Sequence, residues 1–384
     1  MKSRRLAVLD IGSDVITLIV QDNKNTNILY KGSKTYAGFG QGWFFDEEGL
    51  FNAIRSLTRE CRIIAGAPEY ILVGVPGEFS TVVCKYVSTS FYTKRMITPD
   101  DAEALLARGD TYKKHTAFQS ICYFPINYIL DNGEETMYPI GKNSESIGAN
   151  VSYILADRRF ITFFDAIANV LDMRFEFTSS VTSEVLHIIP PDIRDEGVIL
   201  LDIGYISSVV AFAKGDGIIH MATFSLGLGH IAGYLWNYID MPFNHALALS
   251  HKINLNLCSN DEDTYSITID NKSYVYKIKT VNEIASFAMS LITNTLKNVL
   301  NARAEIPAYT PILLTGSGLS ETIGAKEFIA NETSRRVTII RPASIQFDKP
   351  SQSSMVGLMR EQKRIYKKQK SFIKRFFQSF WRNK

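Results

Sequence analysis

The chain has 384 residues, 46% hydrophobic and 21% charged, the makeup of a globular protein long enough for two to four compact units. Its net charge of +3 is unevenly placed: residues 360–384 hold ten Lys and Arg against one acid, Glu361, leaving 32 basic and 38 acidic residues elsewhere. An acidic body argues against nucleic-acid binding, and a basic tail calls for an anionic partner.

Residues 1–20 imitate a signal peptide, but Asp10 and Asp14 interrupt the apolar run and no small-residue cleavage site follows. Residues 6–20, LAVLDIGSDVITLIV, predict an apolar strand, a tight turn at Asp10-Ile11-Gly12-Ser13 and a β-branched return strand. Glycine lets backbone approach a phosphate, the Ser13 hydroxyl can donate to it, and Asp10 can hold a hydrated Mg²⁺. A strand at 28–30, a turn-rich loop at 38–42, a helix at 46–65 and a buried strand at 70–75 complete a β-β-β-α-β unit.

Pro76-Gly77 opens a stretch of different character, and 78–155 reads as a small α+β insertion. It contains strands at 81–90, 118–130 and 152–156, and a helix capped by Thr98-Pro99-Asp100-Asp101 that runs to Arg108. A helix at 157–171 carries Phe160, Phe163, Phe164, Ile167 and Leu171 as a core stripe, and another at 180–189 stops at Pro190-Pro191.

Residues 198–212, VILLDIGYISSVVAF, repeat the opening hairpin, with Asp202 standing 192 positions after Asp10. A repeat that long implies two similar halves, each presenting an Asp-Gly hairpin to a shared cleft. A strand at 217–225 leads through Gly227-Leu228-Gly229-His230 into a helix at 231–239, a place where backbone N–H groups can meet phosphate. A hairpin spans 260–278 with its turn at Asp270-Asn271-Lys272, and a long amphipathic helix spans 282–302. A strand at 310–314 enters Thr315-Gly316-Ser317-Gly318, a helix follows at 321–328, a strand at 337–340, and helix from 352 on.

The last fourteen residues place Phe372, Ile373, Phe376, Phe377, Phe380 and Trp381 on one helical stripe, with Lys374, Arg375, Gln378, Ser379 and Arg382 opposite. Aromatic groups backed by a basic face suit the surface of an anionic membrane better than a core helix or a helix for a protein groove. No apolar run approaches the ~18 residues of a spanning helix, so the membrane contact is expected to be peripheral. The four cysteines, Cys61, Cys84, Cys122 and Cys258, lack any Cys-x-x-Cys and read as reduced cytosolic thiols.

The paired Asp-Gly hairpins, the TGSG turn, Pro125 to Tyr128 in the insertion, SLGLGH, and the late VGLM at 356–359 together resemble the actin-like ATPase superfamily and, within it, the FtsA family of bacterial division proteins. The resemblance implies a two-domain actin-like α/β fold. Subdomain 1A would be 1–77 with 156–192, and an SHS2-like 1C insertion 78–155. Subdomain 2A would be 193–230 with 307–350, and 2B 231–306. A helix and basic linker at 351–370 would precede the membrane helix at 371–384. The resemblance also implies ATP with Mg²⁺: Asp10, Gly12 and Ser13 in the first phosphate loop, Asp202 and Gly204 in the second, Gly227 and Gly229 flanking the phosphates, Gly316, Ser317 and Gly318 facing the adenosine, and Asp10 and Asp202 reaching the metal through water. It implies partners as well: FtsZ, anchored to the membrane through the tail; further copies of the chain in filaments; and later division proteins through 1C.

Three positions depart from the family pattern. Tyr205 stands where glycine would let backbone close on phosphate, and Leu247 and Ser250 replace the Glu and Lys that contact nucleotide. They predict weak ATP binding and at most a weak ATPase. Two alternatives share the fold: a PilM-like assembly protein of pili, and a small-molecule kinase, for which no carboxylate is evidently poised.

Overall fold

The computed structural model describes the chain apart from residues 1–4, 26, 113–114, 258–259, 261 and 383–384, and its side chains as far as residue 368. Two five-stranded sheets share one plan. In the first, Arg5–Ile11, Val15–Asp22 and Ile28–Thr35 form an antiparallel meander, and Ile71–Val75 and then Phe175–Ser179 add in parallel beside Arg5–Ile11. In the second, Val198–Ile203, Ser208–Lys214 and Gly217–Phe224 form the meander, and Ile312–Thr315 and Val337–Ile339 add in parallel. The internal repeat is therefore structural, strand for strand.

The strand period of two decides what each face meets. Ala7, Leu9 and Ile11 face a core shared with the helices Glu47–Ile64 and Arg158–Leu171, where Phe160 and Phe164 stack at 4.6 Å. Val8 faces the other way, onto Met355, Val356, Leu358 and Met359 of the terminal helix Ser353–Arg382. In the second half, Ile199, Leu201 and Ile203 pack beneath the helices Leu228–Tyr238 and Ile278–Asn301, while Val198 and Leu200 face Val181 and Val185 of the helix Ser180–Ile188. Asp10 continues the Val8 face and Asp202 the Leu200 face. The register thus aims both carboxylates at the seam between the halves.

Residues 80–157 build a separate sheet from Ser80–Met96, Asn143–Asp157, Phe118–Leu130 and Glu135–Thr136. Thr98 caps the helix Pro99–Arg108 in a capping box with Asp101, as its sequence predicts. The sheet leans on the second half, where Ser152 Oγ donates to the Ile218 carbonyl at 2.7 Å.

Several boundaries differ from expectation. The edge strand expected at 81–90 extends to Met96 because its long pairing with Asn143–Asp157 supplies partners beyond the local pattern. The strand Phe175–Ser179 and the short helix Pro191–Glu196 were not legible, being brief and flanked by stronger signals. The helix placed at 231–239 begins at Leu228, one turn earlier. The helix placed at 321–328 is Ala325–Thr333, since Gly324 at φ +87° ends the preceding turn and starts the helix. The basic linker before the tail is not a break: one helix runs from Ser353 to Arg382. Cys61, Cys84 and Cys122 are free, and Cys258 lies outside the described residues, as do the tail side chains from Phe372 onward. Among the described residues no helix is long and apolar enough to cross a membrane.

Candidate functional site: an acidic cleft between two hairpin loops

Asp10, Gly12, Ser13, Asp202, Gly204, Gly316 and Ser317 line one cavity of about 110 Å³ at the seam. Glu184, from the helix Ser180–Ile188, and Ser354, from the start of the terminal helix, complete its wall. Sequence reasoning missed both. Glu184 carried little signal, a single carboxylate in a short helix that also buries Val181, Thr182, Ser183 and Val185, and it is 2% exposed.

The three acids crowd one another. Burial pushes Asp10 up to about 6, against a hydrogen bond that Ser354 Oγ donates to Asp10 Oδ1 at 2.7 Å. Burial, then the Asp10 charge, pushes Asp202 up to about 7. Glu184 is raised well above the usual range by burial and by the charges of Asp202 and Asp10, and its Oε2 is buried with no hydrogen-bond partner. A carboxyl raised in the fold stabilises it below the unfolded value near 4 and loses that contribution as pH climbs through 6 and 7. The melting temperature is therefore expected to fall between pH 5 and pH 8. Asp202→Asn should flatten that slope and melt higher than wild type at pH 8 by several degrees; a parallel pair of curves in differential scanning calorimetry would refute the electrostatic account.

The two hairpin loops touch directly. Ser13 Oγ accepts from the Ile206 N–H at 2.9 Å, and the Gly38 backbone closes on Ser13 so tightly that an added Cβ would lie 2.0 Å from its carbonyl oxygen. The other glycines hold the second loop. Leu228 and Gly229 donate their N–H groups to the carbonyls of Gly204 and Tyr205, at 3.1 and 2.8 Å, and Gly318 donates to Ile203 at 2.7 Å. Gly227 donates to His230 Nδ1 at 3.1 Å. The Tyr205 ring lies on Gly229, where a Cβ would sit 2.9 Å from it. Gly227, Gly229 and Gly318 therefore stand behind the second loop, not in the acid cavity. Leu247 and Ser250 lie in the helix Phe243–Ser250, where Ser250 Oγ donates to the Leu247 carbonyl at 2.8 Å.

Two kinds of comparison bear on this architecture. The chain superposes on a chain of a PilM–PilN type IV pilus biogenesis complex with a TM-score of 0.61, at 12% identity over 93% of this chain and 98% of that one. It superposes on MreB5 of Spiroplasma citri bound to AMPPNP with a TM-score of 0.58, at 12% identity over 97% and 99% of the two chains. These likenesses establish the fold as actin-like. No protein-family model matches the chain. In sequence, the cell division protein FtsA of Staphylococcus epidermidis is 21% identical over 373 residues, covering 93% of this chain and 78% of that protein. The chain is a divergent FtsA-like protein of the actin fold.

The nucleotide and cation expected of such a cleft can be tested against its residues. For the cation, Asp10 and Asp202 offer hard oxygen donors to the water shell of a hydrated Mg²⁺, and Glu184 adds an unpartnered Oε2, while no group of three His, Cys, Asp or Glu among the described residues is placed to bind a metal ion directly. The phosphate half does not fit this arrangement. The amides of Leu228, Gly229 and Gly318 are bonded to protein carbonyls, and no Lys, Arg or His is among the described lining residues. The volume also falls below the ~300 Å³ at which small-molecule pockets begin. Ser13 Oγ accepts from Ile206 and retains an O–H that can donate, so what limits a phosphate chain in this FtsA-like cleft is the small volume and the lack of a basic residue among the described lining.

Proposed function

We propose that the protein is a peripheral membrane scaffold of cell division, which holds FtsZ to the cytoplasmic face of the membrane through its terminal helix and assembles into filaments with further copies of itself. The observation that carries this reading is the terminal helix. It starts at the acid cleft, where Ser354 meets Asp10, and its backbone runs unbroken to Arg382, so the segment whose sequence carries the basic-aromatic stripe continues a helix anchored in the body.

The anchorage is broad. Thr315 Oγ1 of the second half lies 2.8 Å from Ser353 Oγ, and Gln362 Nε2 of the helix donates to the Ala7 carbonyl of the first half at 2.7 Å. Glu361, 2% exposed, is bonded by His187 and Arg364 at 2.9 and 2.6 Å. Burial works against its charge, but those two partners hold it down to about 2. Further along, Arg364 lies over the Phe124 ring and Lys368 pairs with Glu103, both in the 80–157 sheet and its helix. Both central sheets and the 80–157 unit thus contact the helix that leads to the tail.

Nucleotide of the kind that MreB5 binds would enter by parting Ser13 from Ile206, and the loop movement would pass to the tail through Asp10 and Ser354. The departures at Tyr205, Leu247 and Ser250 make hydrolysis secondary in this reading. Later division proteins would dock on the 80–157 sheet. Co-sedimentation of FtsZ with anionic liposomes is the test, comparing the full chain with a version ending at Lys370. FtsZ should appear in the lipid pellet with the full chain alone. Lipid binding without FtsZ would overturn the division role and favour an assembly partner of the PilM kind, a reading that the structural likeness also supports.

A further inference from the structure

On the far side of the Tyr205 loop from the acid cleft lies a second, larger opening of about 690 Å³, within the ~300–1,000 Å³ of small-molecule sites. Phe45 forms its first-half lip, and Tyr205, Tyr234 and Tyr238 supply three more rings from the second half. Tyr234 and Tyr238 are stacked, 6.0 Å apart and 8° from parallel. None of the described lining residues carries Lys, Arg, Asp or Glu chemistry.

The floor is glycine backbone, bare at Gly233. Gly229 and Gly233 stand one turn apart on the helix Leu228–Tyr238, and both line the opening. Gly229 has a reason inside the fold, the Tyr205 ring resting on it. Gly233 has none: an added Cβ would meet no atom within 4 Å. Glycine is among the least favourable residues in a helix interior, and here no contact from another element among the described residues requires it. A missing side chain with open space above it, ringed by aromatic groups, is what a flat ligand needs to lie against a helix.

The polar edge is also defined. His230 Nδ1 accepts the Gly227 N–H, and burial lowers the ring's pKa, so the neutral imidazole carries its proton on Nε2 as a donor. Asn237 adds an amide to the same lining.

We propose that this groove is a second ligand site, separate from the acid cleft, for an uncharged planar heteroaromatic small molecule that lays its face on the backbone at Gly233 among Phe45, Tyr234 and Tyr238 and accepts a hydrogen bond at its edge from His230. Because Phe45 belongs to the first half and the remaining walls to the second, the ligand fastens the halves together across the closed cleft. The proposal stands independently of the membrane reading.

The test titrates caffeine, inosine and riboflavin, three flat heterocycles of increasing size, into the full chain without Mg²⁺, with saturation-transfer NMR and calorimetry as readouts. At least one should bind saturably. Gly233→Leu should weaken it by about tenfold or more. Gly233→Ala should weaken it several-fold while raising the melting temperature, which separates loss of the site from loss of the fold. Asp202→Asn should leave the affinity unchanged. The proposal is overturned if none of the three saturates, if Gly233→Leu binds as wild type does, or if Gly233→Ala lowers the melting temperature. It is equally overturned if Asp202→Asn abolishes binding, which would put the ligand in the acid cleft, or if an aromatic peptide saturates the groove where the heterocycles do not.

Discussion

Phe377→Glu combined with Trp381→Glu is expected to take the protein off anionic vesicles while leaving its melting temperature unchanged. Both residues fall on the apolar stripe read from the sequence, which is the part that must enter the lipid interface. Burying a large aromatic side chain gains ~2 kcal/mol, and a carboxylate adds repulsion from anionic headgroups, each nearby charge counting ~1 kcal/mol. Two such replacements together cost about 5 kcal/mol or more, enough to reduce vesicle binding beyond measurement. Lys374→Gln with Arg375→Gln should weaken binding less, and only at low salt, because those cations act through the screened surface potential. Flotation on vesicles of about 30% anionic lipid, with circular dichroism on the same samples, reads both quantities. Undiminished flotation of the double Glu variant would remove the tail from the tether.

The second large effect is expected where the terminal helix crosses the helix Ser180–Ile188. At Gly357 an added Cβ would lie 2.8 Å from the Ser183 carbonyl carbon and oxygen and 3.0 Å from the Glu184 nitrogen. Those are backbone atoms of a buried helix and cannot rotate away. Gly357→Val must therefore push the helices apart, which uncovers Val8, Leu72, Met355 and Leu358 and draws Ser354 from Asp10. Overpacking of this kind costs about 3 kcal/mol, or roughly 5 °C in melting temperature. Limited proteolysis should then cut near the start of the terminal helix, while vesicle binding by the tail persists. A variant that melts within about 1 °C of wild type would show that the crossing is loose and that the helix does not report on the cleft.

These two sites mark the division between what the sequence decides and what the fold decides. Strand and helix periods are local, so the repeated hairpin, the Thr98 capping box, the Phe160–Phe164 stripe and the Asp270-Asn271 turn, with φ of 49° and 60°, follow from neighbours within a few residues. The 192-residue repeat extends that reach, because two similar hairpins imply two similar sheets. Asp10 and Asp202 were legible for the same reason. Glu184 was not, since a single carboxylate on a short helix of mixed polarity gives no sign of which charges it will face.

Only the tertiary structure decided how the cleft is closed. The Ser13–Ile206 contact joins residues 193 positions apart, and Ser354–Asp10 joins residues 344 apart. In the sequence Ser13 is a phosphate donor; in the fold its oxygen also accepts from the opposite loop. The same applies to the glycines of the second half. Composition says that backbone can approach something at Gly227, Gly229 and Gly318, but a glycine is equally compatible with a ligand and with another strand of protein. Which one approaches depends on how the two sheets are set against each other, and that setting is fixed by the helices packed between them, Ser180–Ile188 and Ser353–Arg382, drawn from separate parts of the chain.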